Sequence, residues 1–112
     1  MKSLPSLRGA YGFSRVMRLG KTVRSDFMRI HVLKKEEGEP RLGIMVTKGA
    51  GSAVKRNKIR RRIRQAFAEL LSGKQLSADI VVYVNSDISF VGFRDLKIAA
   101  ADLAKRAGVP VS

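Results

Sequence analysis

Apolar residues recur along this chain at helical spacing in some stretches and in alternation in others, and each pattern predicts an element. Phe13, Val16 and Met17 stand at i, i+3 and i+4 with Gly20 after them, which predicts a short helix over 11–19. From 22 to 33 the pattern becomes alternation. Met28, Ile30 and Val32 fall on one side, Phe27, Arg29, His31 and Leu33 on the other. The first side reads as core. The second mixes an aromatic ring, a cation and an imidazole, and reads as a partly solvated binding face. Residues 34–40 form a polar loop, and 41–47 resume alternation with Leu42, Ile44 and Val46 inward.

The longest periodic stretch follows. Ile59, Ile63, Ala66, Phe67 and Leu70 make a helical stripe about 100° wide that must pack on a sheet. Ser52 suits the N-cap and Gly73 the C-cap. Residues 79–84 are nearly all apolar and read as a buried central strand. Phe93, Leu96, Ala99, Ala100 and Leu103 mark a last helix ended by Gly108 and Pro110. The order α-β-β-α-β-α predicts a two-layer α/β sandwich of the α+β type, a small mixed sheet packed by helices. Residues 1–9, polar and basic with Pro5 and Gly9, are expected to be a flexible arm, and 10–112 a single domain.

Charge changes this picture most. The 112 residues carry 23 Lys and Arg against 9 Asp and Glu, a net charge of +14, which is the footprint of a nucleic-acid binder. Seven of the ten residues from Lys55 to Arg64 are cationic and none is acidic. Arg56/Arg60, Arg60/Arg64 and Lys58/Arg62 are like-charge pairs four apart, which weakens the helix. Lys55 and Arg56 also crowd the positive end of its dipole. A local rule broken so consistently points to a functional surface. With no acid nearby to pair against, that surface is expected to meet a polyanion, its guanidiniums binding phosphates and Asn57 reading a base edge or sugar. The loop Lys48-Gly49-Ala50-Gly51-Ser52 is either an anion site at the helix start or an ordinary strand-to-helix turn.

Other chemistry is sparse. The chain has no cysteine, no apolar run near the length of a membrane span, and no signal-peptide core. A cytoplasmic protein with no membrane partner is expected. Its one histidine, His31, lies in a strand, and no carboxylate or nucleophile spacing suggests a catalytic centre. Phe13, Met17, Phe27 and His31 could stack unpaired bases, though core packing is favoured for Phe27.

These residues carry a family signature. Leu42-Gly43-Ile44-Met45-Val46-Thr47-Lys48, then Gly51 through Phe67 with Arg56-Asn57-Lys58 at its centre, resembles the protein subunit of bacterial ribonuclease P and its Arg-Asn-Arg helix. Gly12-Phe13-Ser14-Arg15-Val16-Met17 and the 79–84 strand extend the likeness over nearly the whole chain. The resemblance implies a left-handed crossover around the motif helix, against the usual right-handed rule. It implies a monomeric subunit of a ribonucleoprotein whose catalytic RNA, with Mg²⁺, cleaves precursor tRNA to leave the mature 5′ end. It also implies RNA contacts from Lys48, Arg56, Asn57, Arg60, Arg61 and Arg64, to which the basic segment adds Lys55 and Lys58. A cleft between the first helix and the sheet would hold the single-stranded 5′ leader. Its aromatic positions fall on Phe13, Met17 and His31, and Arg29 joins them from the strand's binding face. Only Phe13 is aromatic here, and the motif's third residue is Lys58, which keeps the charge and loses the arginine fork. The alternative is a general or ribosomal-type RNA-binding protein without a part in cleavage.

Overall fold

A computed structural model describes residues 4–112. The chain runs α1 (Ala10–Leu19), β1 (Lys21–Arg24), β2 (Arg29–Lys34), β3 (Arg41–Val46), a single 3-10 turn (Lys48–Ala50), α2 (Ala53–Leu71), β4 (Ala78–Val84) and α3 (Phe93–Arg106). The expected strand over 22–33 is in fact an antiparallel hairpin, with Arg24 opposite Arg29. Ser25 makes the bend, its Oγ accepting from the Phe27 and Met28 amides at 3.2 and 3.3 Å.

The four strands lie in the order β1-β2-β4-β3, antiparallel except for the parallel β3–β4 pair. Those two strands are joined by α2, which is therefore the crossover of a βαβ unit. The expected central strand is central, flanked on both sides.

One face of the sheet carries the main core. Ile30, Val32, Leu42, Ile80, Val82 and Val84 pack there against Ile59, Ile63, Phe67 and Leu70 of α2 and Leu96, Ala100 and Leu103 of α3. The stripe read from the sequence is fully buried, and Ser52 caps α2 by accepting from the Lys55 amide at 3.3 Å. The other face has only α1. Leu7, Val16 and Val81 form a small second core there, with Phe13, Met17 and Leu33 beside it. The two-layer expectation thus describes the α2/α3 side, and α1 adds a partial third layer.

Part of the segment expected as a flexible arm is tied down. The Leu7 amide donates to the Leu42 carbonyl and the Leu42 amide to the Pro5 carbonyl, so 5–7 run parallel along the edge of β3. Leu7 is buried. Residues 1–3 of the arm lie outside the described residues.

Candidate nucleic-acid interface

The register of the sheet aligns side chains in rungs on the α1 face. Arg29, Tyr83 and Met45 form one, His31, Val81 and Gly43 the next, Leu33, Asp79 and Arg41 the third. α1 packs on Val81 and Leu33, and the first rung is left half-buried beside it. Gly43 sets how close the helix can come. A Cβ at that position would lie 2.6 Å from Phe13 Cζ, so only glycine lets the phenyl ring rest on the strand.

Between α1 and β3 opens a groove of about 860 Å³, lined by Phe13, Met17, Arg18, Ile44, Met45 and Arg60 among others. Its floor is apolar and polarisable, its rim cationic. Of the four residues predicted for a cleft, Phe13 and Met17 line this groove. Arg29 and His31 do not. Arg29 borders a separate hollow of about 320 Å³ with Arg24, Phe27, Tyr83 and Asn85, its guanidinium carbon 4.1 Å from the Tyr83 ring centroid. His31 is only 5% exposed and cannot offer a ring for stacking. Its Nδ1 lies 2.9 Å from Thr22 Oγ1, and its Nε2 accepts from Arg29 Nε at 3.0 Å. The strand's second side is therefore more closed than its alternation suggested, because α1 lies over it. Phe27, favoured as core, does pack against the main core.

On α2 the apolar stripe faces the sheet and Asn57 and Arg61 stand exposed on the opposite side. Arg60 Nη1 donates to Asn57 Oδ1 at 2.9 Å, and the same arginine lines the groove. Arg64 reaches Ser6 Oγ at 3.3 Å. Among the described residues Lys48, Lys58 and Arg61 make no ion pair or hydrogen bond within the chain through their side chains, and Arg56 Nε is buried without an acceptor. The basic segment is not without an acidic neighbour, contrary to what its sequence suggests: Lys55 Nζ lies 2.9 Å from Asp87. Bonds from the Ser89 hydroxyl, Lys55 and the Ser89 amide push the Asp87 carboxyl down to about 2. Arg62, by contrast, is structural: its Nη1 donates to the Val91 and Ser89 carbonyls at 2.7 and 3.3 Å, fastening α2 to the loop before α3.

The Lys48–Ser52 loop is held to the end of β4. Thr47 Oγ1 donates to Asn85 Oδ1, and Gly51 takes a φ of 119°, a conformation that favours glycine. Sequence reading missed the Asp79 cluster entirely. This carboxylate, 2% exposed, takes two bonds from Arg41 (2.8 and 2.7 Å) and one contact from Lys35 at 3.0 Å. Burial pushes its pKa up, and the Arg41 and Lys35 bonds more than offset this to hold it below the usual carboxylate range. The one available signal was an acid heading an otherwise apolar strand.

A family model for ribonuclease P matches residues 1–108. The chain belongs to the ribonuclease P protein family. The ribonuclease P protein component of Shouchella clausii is 31% identical over 110 residues, spanning 97% of this chain and 90% of the relative. That of Clostridioides difficile is 29% identical over 100 residues, 88% of each. Solved structures of RNase P proteins share the fold. A Staphylococcus aureus RNase P protein, a mutant with defective mRNA degradation activity, has a TM-score of 0.83 at 27% identity, covering 96% of this chain and 89% of that one. The Thermotoga maritima RNase P protein has 0.79 at 28% identity, covering 90% and 96%. As a member of the ribonuclease P protein family the chain takes part in tRNA 5′ processing, which removes the general RNA-binding alternative. No helix among the described residues is long and apolar enough to cross a membrane.

Proposed function

We propose that the chain binds the catalytic RNA of ribonuclease P through the α2 ridge of Arg56, Asn57, Lys58, Arg60, Arg61 and Arg64, with Lys48 and Lys55 at its start. In the same reading the groove between α1 and β3 holds the single-stranded 5′ leader of precursor tRNA. The observation that carries this is Arg60, which stands on the ridge and lines the groove, so one continuous surface can touch both RNAs. Phe13 offers a ring on which a base can stack, and Met17 and Met45 offer polarisable contacts.

Cations between two polyanions lower their repulsion, while the groove adds affinity specific to the leader. Bond cleavage belongs to the RNA in this reading, in a cytoplasmic ribonucleoprotein containing one copy of this chain. The Mg²⁺ that cleavage requires is assigned in this reading to the RNA; among the described residues no three His, Asp or Glu side chains converge.

The test compares affinity of the assembled ribonucleoprotein for precursor and for leaderless tRNA. The leader should strengthen binding, and Phe13→Ala should remove about 1–2 kcal/mol of that gain, leaving leaderless binding unchanged. Equal affinity for the two substrates would refute the groove assignment. Cleavage of precursor tRNA by the protein stripped of RNA would refute the division of labour.

A further inference from the structure

We propose that His31 is a positioning residue, one that presents Arg29 to a backbone phosphate of the leader and makes no contact with RNA itself. The proposal rests on the leader reading above and extends the strand's path from the groove, past Met45 and Tyr83, to the hollow bordered by Arg29.

Proton positions decide what each contact is. The arginine Nε always carries a hydrogen and only donates. Arg29 Nε is 3.0 Å from His31 Nε2, so that nitrogen must present a lone pair. The neutral ring then keeps its hydrogen on Nδ1, which donates to Thr22 Oγ1 at 2.9 Å. Only one tautomer satisfies both contacts. The ring sits in the second rung between Thr22 of β1 and Val81 of β4, closed off from solvent. A buried imidazole with both nitrogens spent inside the protein is a support.

What it supports is Arg29. That side chain is held at two points: Nε on the imidazole, and the guanidinium carbon 4.1 Å from the Tyr83 ring centroid. Its two terminal amino groups find no acceptor among the described residues. A planar fork, fixed in orientation with two amino groups unspent, matches the oxygens of a phosphate. Fixing it beforehand spares the rotamer entropy that a mobile arginine would lose on binding. Arg24, opposite Arg29 on β1, puts a second cation beside the same hollow. The hollow shares the rung of Met45, which lines the groove, so one strand of RNA can reach both.

His31 is the only histidine in the chain, so nitrogen-15 NMR of the untagged protein reads its tautomer directly. The expected spectrum has hydrogen on Nδ1; hydrogen on Nε2 would overturn the proposal whatever the leader does. The second measurement is the gain in affinity that the leader confers on precursor tRNA over leaderless tRNA, in the assembled ribonucleoprotein. Arg29→Ala and His31→Leu should each lower that gain about tenfold, the worth of a charge-assisted hydrogen bond. His31→Gln, whose amide oxygen can accept from Arg29, should restore it. Unchanged leaderless binding shows that each variant is folded. If Arg29→Ala or His31→Leu keeps the full gain, or His31→Gln loses as much as His31→Leu, the proposal fails while the groove assignment stands. If the unaltered protein shows no leader gain, both fail.

Discussion

The two faces of this sheet are built from the same strands and serve opposite ends. The face under α2 and α3 is sealed: Ile30, Leu42, Ile80 and Val82 meet Ile59, Ile63, Phe67 and Leu103, each at most 1% exposed. The face under α1 is closed over only part of its area. A ten-residue helix covers Val81 and Leu33 and leaves Met45, Tyr83 and Arg29 half-buried. Complete burial yields stability and no site. Incomplete cover costs stability and leaves a surface where rings, thioethers and guanidiniums can receive a ligand.

Deleting the same kind of side chain from each face should separate the two most sharply. Phe67→Ala should cost about 3–5 kcal/mol in urea unfolding, because α2 loses its central anchor and the cavity cannot collapse. Phe13→Ala, from the half-open face, should cost about 1–2 kcal/mol of stability. Equal losses would mean that α1 is as much core as α2.

Next in size is the charge carried on the outside of the sealed face. The double variant Arg60→Ala, Arg64→Ala should flatten the slope of log affinity against log salt by about 1.4, at 0.7 for each single-strand phosphate no longer neutralised. The defect should shrink as Mg²⁺ rises, since divalent ions take over the screening that the two guanidiniums supplied. An unchanged slope would remove these two arginines from the interface.

The smallest effect is a pH dependence that arises on the α1 face. Burial, then the nearby Arg29 and Arg24 charges, lower the His31 pKa. As pH falls below the ordinary imidazole range, near 6.5, the unfolded chain takes up a proton that the folded chain refuses, so stability declines. Melting temperature should therefore drop on mild acidification, and His31→Gln should flatten that drop. Further down, Asp79 adds a second loss as its carboxyl, held low by Arg41 and Lys35, is finally protonated.

Much of the sealed face was legible in the sequence, because its signals are local. The 59-63-66-67-70 stripe, the apolar run ending at Val84 and the Ser52 cap each lie within one element. The α1 face was less so. The alternation over 22–33 resembles one strand, yet Val23 is inward at an odd position while Met28, Ile30 and Val32 are inward at even ones. That change of phase marks the bend at Ser25. The bonds from Pro5 and Leu7 to Leu42 involve only backbone, which leaves no side-chain pattern. Asp79 and Arg41 are 38 residues apart, so nothing but the fold brings them together. The cationic ridge was plain from composition, whereas the burial of His31 depended on where α1 comes to rest.

The short stretch from Pro5 to Leu7 has a further effect on how the molecule behaves among its own copies. β3 is the outermost strand on its side of the sheet, and an outermost strand with unpaired amides and carbonyls is a template for another chain. Those three residues occupy part of that template from within, and a proline cannot pass the pairing outward. Trimming them away should leave a protein that still folds around α2 yet becomes adhesive along β3, clumping on storage where the longer form stays dispersed.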